Sequence, residues 1–276
     1  MAPRVDEIAD GIFRICTHRP DGLAEGLVYN QFLIRAEQPL LMHTGMRTIF
    51  PDVAEAVRSL VKLEDLRWIS GAHASRPDEF GSVNDFLAAA PNAEVVAGKV
   101  AVNVCLRHMV DRPARALANG EVLDLGDRTV RFLATAHVPF WEAGVLLDER
   151  EHVLFCGDLF TVEGNPPPVS DADLIAPALD FERRLQHFTV SAHLPPVLRK
   201  LADLRPRMLA CMHGPAYNGE RCGRCRRWPP TTTPSPRSRE HKEGRNGARD
   251  RPCRRRLGGE PGERRGQRQH HRRVEV

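Results

Sequence analysis

A mixed α/β domain is the fold class this sequence predicts, and three observations predict it. Short runs rich in β-branched, aromatic and other apolar residues, among them LRWIS, VRFLA, HVLF and RMLA, alternate with segments of helical periodicity. Imidazoles and carboxylates stand just after those runs: His73 and Asp78 in AHASRPDEFGS, His137 in ATAHVPFWEAG, Asp158 in LFCGDLF and His213 in ACMHG. Composition then changes abruptly near Gly219, beyond which eighteen Arg and Lys face seven acidic residues and apolar side chains almost vanish.

GIFRICTH, VYNQFLIRA and PLLMHTG read as short strands bounded by turns at DG and EQP. FPDVAEAVRSLVKL has apolar residues at spacings of three and four and predicts an amphipathic helix. LRWIS is a strand ending at His73, and SVNDFLAAAP a helix begun by a Ser82 cap. AEVVA gives the next strand, VAVNVCLRHMV a helix, and EVLDLG, TVRFLATA and AGVLLDE three strands before HVLFCGD. DADLIAPALDFERRLQHF and LPPVLRKLADL carry helical periodicity, and RMLACMHG closes the series as a buried strand.

A chain of 276 residues can build one large core. Its net charge of +4 is a property of the basic segment, which carries about +11, while residues 1–218 are near −7. Residues 219–276 bury too little apolar surface to offset their ordering entropy and are expected to be disordered. A nucleic-acid arm would interleave aromatics with its Arg, whereas this segment has only Trp228, and its Arg, Pro, Gly and Thr bias is that of GC-rich DNA translated out of frame. No nucleic-acid partner is expected. The absence of an apolar leader, or of about twenty apolar residues in a row, predicts a cytoplasmic protein with no membrane span. Cys16, Cys105, Cys156 and Cys211 lie in or beside apolar runs and read as small buried hydrophobes of a reducing compartment, while Cys222 and Cys225 form a lone CxxC short of a zinc knuckle. No phosphate-binding glycine motif occurs.

Imidazoles and carboxylates gathered from several strand ends are suited to a metal pair. The order and spacing of these five residues resemble the metallo-β-lactamase superfamily, and within it the oxygen-binding diiron and flavodiiron proteins. YNQFLIRAEQPLLMHTG, DEFGSVNDFLAAAPNAEVV, HVLFCGDLFT and LACMHG carry the likeness over roughly residues 8–218, as does the interval of about twenty residues between His137 and Asp158. The resemblance implies a four-layer αββα sandwich in residues 1–218 with the ligand loops on one edge. It also implies two metal ions, iron with zinc as the alternative, held by His73, Asp78, His137, Asp158 and His213, with Asp158 bridging and His43 nearby.

The chain departs from that family's His-x-Glu-x-Asp motif, because its loop is one residue longer: counted from His73 the place of the Glu holds Ser75, and counted back from Asp78 it holds Arg76. The expectation is therefore a first metal, on His73, His137 and Asp158, that lacks its carboxylate and binds less firmly than a second on Asp78, Asp158 and His213. Glu79 is a further ligand candidate, expected at the rim. Phe140 and Trp141 make the approach more apolar. The family reduces dioxygen or nitric oxide with electrons from an FMN-binding flavodoxin-like domain, which this chain lacks. The resemblance thus implies a stand-alone diiron domain, tending to dimerise, that binds, senses or reduces O₂ or NO with electrons from a separate redox partner. A zinc-dependent hydrolase and a degenerate, non-catalytic member are the competing readings, and metal content separates all three.

Overall fold

Two seven-stranded sheets organise the chain. The first is built from β1 (Arg4–Ala9), β2 (Ile12–Arg19), β3 (Leu27–Ile34), β4 (Leu40–Met42), β5 (Trp68–Ser70), β6 (Glu94–Gly98) and β7 (Arg115–Leu117), in that spatial order. The second runs β12-β14-β13-β11-β10-β9-β8, with β8 (Val122–Asp124), β9 (Thr129–Ala134), β10 (Gly144–Asp148), β11 (Val153–Gly157), β12 (Val169–Ser170), β13 (Met208–Cys211) and β14 (Ala216–Asn218). Among the described residues six α-helices connect them: α1 (Phe50–Arg58), α2 (Pro77–Phe80), α3 (Val83–Ala89), α4 (Lys99–Val104), α5 (Ile175–Leu185) and α6 (Leu194–Asp203). The computed structural model describes residues 2–21, 23–186 and 192–218, so the disorder expected of 219–276 concerns residues outside those described.

Hairpins make the antiparallel half of the first sheet. Asp10 and Gly11 turn β1 into β2, with Gly11 at φ +68°, the left-handed backbone such a two-residue turn favours. From β4 onward the pairing is parallel, β4 to β5 to β6 to β7, because α1, α3 and α4 supply the crossovers that parallel strands require. In the second sheet β11 lies parallel to β13, so both strands end on the same edge.

Alternation along the strands divides the core into three layers. Phe13, Ile15, Leu33, Leu41, Ile69 and Val95 turn outward to pack with Val53 and Val57 of α1 and Phe86 of α3. Their neighbours Ile12, Phe32, Ile34, Leu40, Met42 and Trp68 turn inward to meet Phe132, Leu146, Val153 and Phe155 of the second sheet. Beyond that sheet, Leu133, Leu147, Leu154 and Leu209 pack under Ala178 of α5 and Leu194, Leu198 and Leu201 of α6. Period-two strands with both faces buried, covered by amphipathic helices, produce the four-layer αββα sandwich that the resemblance implied.

Two local expectations change. The first helix ends at Arg58, short of the LVKL segment, because Ser59 donates its hydroxyl to the Ala56 carbonyl at 2.7 Å and turns the chain. Ser82 does not cap α3 through its side chain; it donates to the Gly45 carbonyl at 3.1 Å and ties the start of that helix to the loop after β4. Among the described residues, no helix is long and apolar enough to cross a membrane.

Phe132 joins the sheets most directly. A Cβ on Gly98 of β6 would stand 2.6 Å from its ring, and one on Gly144 of β10 would stand 2.3 Å from it. Each glycine makes room for the same ring. Phe132→Ala should cost about 3–5 kcal/mol, and Gly144→Ala about 1–3 kcal/mol through overpacking. Urea unfolding measures both, and an unchanged midpoint for Phe132→Ala would deny the ring this role.

Candidate metal centre

Strand ends from both sheets deliver the polar groups. His73 follows β5, Asp158 follows β11 directly, and His213 follows β13, while α2 carries Asp78 and Glu79 in its first turn. Gly157 takes φ +56°, and a Cβ there would lie 2.5 Å from Ala72 Cβ and 3.1 Å from His73 Cε1. Only glycine lets the end of β11 bring Asp158 this close to the His73 loop.

Two groups of three form. In the first, His73 Nδ1 is 2.5 Å from Glu79 Oε1 and 3.7 Å from Asp158 Oδ2. In the second, His213 Nε2 is 3.3 Å from Asp78 Oδ2 and 3.3 Å from Asp158 Oδ1. Within each group the potential ligand atoms lie within 4.8 Å of one another, and all five residues are buried. Asp158 belongs to both, with one oxygen turned to each.

Glu79 is not at the rim. It is fully buried, and its Oε2 accepts hydrogen bonds from the backbone N–H groups of Ala72 at 2.6 Å and His73 at 2.8 Å. The reason is helical geometry. Pro77 starts α2 immediately after the loop, and consecutive helical residues diverge by about 100°, so Asp78 faces His213 while Glu79 faces His73. The first group therefore has its carboxylate, supplied six residues after the His.

His137 lies outside both groups. It is exposed at φ +66° in the loop after β9, stacked on His193 with ring centroids 4.7 Å apart, and its N–H donates to the Phe140 carbonyl at 2.7 Å. Phe140 takes the place beside His73, its ring 5.3 Å away and edge-on. Arg76 donates Nε to Asp78 Oδ1 at 3.2 Å and Nη2 to Asp78 Oδ2 at 3.4 Å, and its guanidinium stands 5.9 Å from the centre of the Phe140 ring. Ser75 anchors the same loop by donating to Glu142 Oε1 at 2.6 Å.

A layer behind these groups orients them. His213 Nδ1 donates to the Val28 carbonyl at 2.8 Å, which leaves Nε2 facing Asp78 and Asp158. His43, fully buried, places Nδ1 3.2 Å from the Asn30 carbonyl and Nε2 3.3 Å from Glu79 Oε2. The Asn30 amide donates to the carbonyls of Cys211 at 2.9 Å and Gly214 at 2.8 Å, and Arg14 also donates to the Gly214 carbonyl. The loop of His213 is thus fixed from β3. A buried Asn inside an apolar strand, NQF in VYNQFLI, was the signal for this role.

The charges of the cluster call for cations. Burial alone would lower the pKa of His73, but Glu79 and Asp158 outweigh it and push the imidazole up to about 9. Burial likewise works against His213, and the hydrogen bonds and charges of Asp158 and Asp78 push it up to about 10. Burial would raise the Asp78 and Glu79 carboxyls, yet the neighbouring imidazoles hold both below the usual carboxylate range. Three buried carboxylates meet the Arg76 guanidinium on Asp78, so with both imidazoles neutral, as metal ligands are, the cluster carries an excess of negative charge. Divalent cations would take the place of the imidazole protons and offset that charge, and this mixed imidazole and carboxylate donor set fits iron or zinc.

Known proteins carry similar chains. Diflavin flavoprotein A 1 of Synechocystis sp. is 27% identical over 224 residues, covering 75% of this chain and 37% of that protein. This chain spans about a third of the length of the curated relatives it matches. The rubredoxin oxygen:oxidoreductase of Desulfovibrio gigas superposes with a TM-score of 0.71 at 18% identity, covering 82% of this chain and 60% of that one. The flavodiiron protein from Giardia intestinalis superposes with a TM-score of 0.72 at 16% identity, covering 82% and 59%. These structures share the fold. Residues 27–214, more than half of the sequence and every strand end that carries a candidate ligand, match the family described as ODP family beta lactamase, and the chain belongs to that family.

Proposed function

We propose that this chain is a non-haem diiron protein that binds and reduces O₂ or NO with electrons from a separate redox partner. The observation that carries the proposal is the pair of buried His and carboxylate groups joined at Asp158. His73, Glu79 and Asp158 would hold one iron, and Asp78, Asp158 and His213 the other. When bound, two ferrous ions supply the electrons and open coordination that a diatomic oxidant requires. The protein's part is to hold and shield. Val28 and Asn30 keep the His213 and His43 rings in orientation through their carbonyls, and Phe140 gives the approach an apolar wall suited to a small uncharged molecule. That the Desulfovibrio gigas protein is a rubredoxin oxygen:oxidoreductase supports a reading in which the electron donor is a second protein.

The test is elemental analysis of anaerobically purified protein reconstituted with ferrous ion. An optical spectrum before and after O₂, and O₂ and NO consumption with a chemical reductant, complete it. Two irons per chain, an oxidation-dependent spectral change and consumption of either gas are expected. Retention of zinc with hydrolysis of an ester or lactam would replace this reading with a metallo-hydrolase, and substoichiometric metal of any kind would indicate a non-catalytic member.

A further inference from the structure

Arg76 distinguishes the two groups. It stands at the mouth, with its side chain about a third exposed, and both of its donors engage both oxygens of Asp78. Asp78 belongs to the group with Asp158 and His213. Among the described residues, no arginine or lysine pairs with the group of His73: its Glu79 is held by two backbone N–H groups and faces His43 Nε2 at 3.3 Å, contacts that orient a carboxylate without a guanidinium on it. The guanidinium of Arg76 is steadied on its other side by Phe140, and Ser75 is fixed to Glu142, so the loop presents the arginine in one place.

We infer that Arg76 competes with a metal ion for Asp78, so that the chain binds one divalent ion firmly at His73, Glu79 and Asp158 and a second weakly at Asp78, Asp158 and His213. The inference rests on the two-metal reading above and deepens it. Two effects act in the same direction. A full positive charge within hydrogen-bonding distance of a ligand carboxylate repels a divalent cation bound to that carboxylate, at close range and with little solvent between. In addition, a bidentate guanidinium occupies the lone pairs in the carboxylate plane, and a planar fork satisfied on both oxygens gives them up less readily than an ammonium would. The order of filling is the reverse of what the missing motif Glu suggests from sequence. Its consequence is that the two-ion form assembles only when free ferrous ion is plentiful, so metal supply sets the fraction of competent protein.

The experiment titrates ferrous ion anaerobically into metal-stripped full-length protein, following heat and bound metal after gel filtration, for the unmodified chain, Arg76→Met and Arg76→Lys. Arg76→Met keeps an apolar stem against Phe140 and removes the charge. The unmodified chain should show two steps separated by tenfold or more, and Arg76→Met should strengthen the second by about tenfold or more and the first by much less, since Arg76 reaches that group only through the field it exerts on Asp158 and Glu79. Arg76→Lys should fall between, because it keeps the charge and loses the fork. Two equal tight steps in the unmodified chain, or a second step weakened by Arg76→Met, would overturn the competition; the latter would make Arg76 a support that positions Asp78. If neither the unmodified chain nor Arg76→Met binds ferrous ion at all, the two-metal reading fails, and the competition fails with it. Thermal melts of all three proteins verify folding, which a surface-accessible arginine should not disturb.

Discussion

Asp158→Asn should abolish binding at both groups at once. The substitution keeps the shape of the side chain and removes the one charge that faces both imidazoles, at 3.7 Å from His73 Nδ1 and 3.3 Å from His213 Nε2. Every other candidate ligand serves a single group. Metal content should therefore fall from two ions per chain to well below one, where Asp78→Asn or Glu79→Gln removes only one. A stability readout gives the same answer independently. An ion that binds only the folded chain stabilises it by about 2.7 kcal/mol at a hundredfold excess over its dissociation constant, so the unmodified protein should gain that much or more in melting free energy on adding metal, and Asp158→Asn almost nothing. Asp148→Asn is the control. Asp148 is equally buried but lies at the end of β10, its Oδ1 3.5 Å from Arg128 Nη1. Losing that carboxylate charge should lower stability and leave metal uptake intact. Two ions per chain in Asp158→Asn would end the assignment of Asp158 as the shared residue.

The strands that carry these residues were legible in sequence because both faces of each sheet are buried. Apolar runs such as HVLF and RMLA stand out where no polar face interrupts them, and the ligands stand at their ends. Less visible were strands too short to carry a pattern: β7, β12 and β14 have three, two and three residues, and their place is set by pairing with β6, β14 and β13. Convergence of His73, Asp78, Asp158 and His213 followed from topology, since the parallel strands point their C-terminal ends to one edge. The position of His137 did not follow. Only two residues separate it from β9, as two separate His73 from β5, and the choice between packing His137 or Phe140 against His73 is made by local backbone, with His137 at positive φ, and not by any periodicity. Glu79 was obscured for another reason. Motif spacing treats the ligand loop as extended, while Pro77 turns it into a helix whose first turn aims two consecutive carboxylates at two different groups.

Glu79 has two duties, and a pair of substitutions separates them. Its carboxylate accepts from the backbone N–H groups of Ala72 and His73 and also faces His73 Nδ1 and His43 Nε2, all within the buried interior. Glu79→Gln leaves an oxygen that can accept from both N–H groups and an amide that can donate to His73 Nδ1. Folding stability should fall, because His73 and His43 lose the buried anion they face, but by less than when the acceptor is removed altogether. The anionic ligand is gone, however, so the firmly bound ion should be lost or weakened by at least tenfold, read by ferrous titration. Glu79→Ala leaves two backbone N–H groups buried with no acceptor, at a cost of about 1–3 kcal/mol each, and opens a void beside the Phe80 ring, which itself packs tightly over Gly71. Its urea midpoint should therefore fall well below that of Glu79→Gln even in the presence of chelator, where metal cannot contribute. Ser75→Glu, which would insert an acid near the place the family motif has one, should gain no metal, since Glu79 already fills that duty and the new charge would stand against Glu142, the present partner of Ser75. Firm binding of a first ion by Glu79→Gln would show that His73 and Asp158 suffice, and would reduce Glu79 to the structural duty alone.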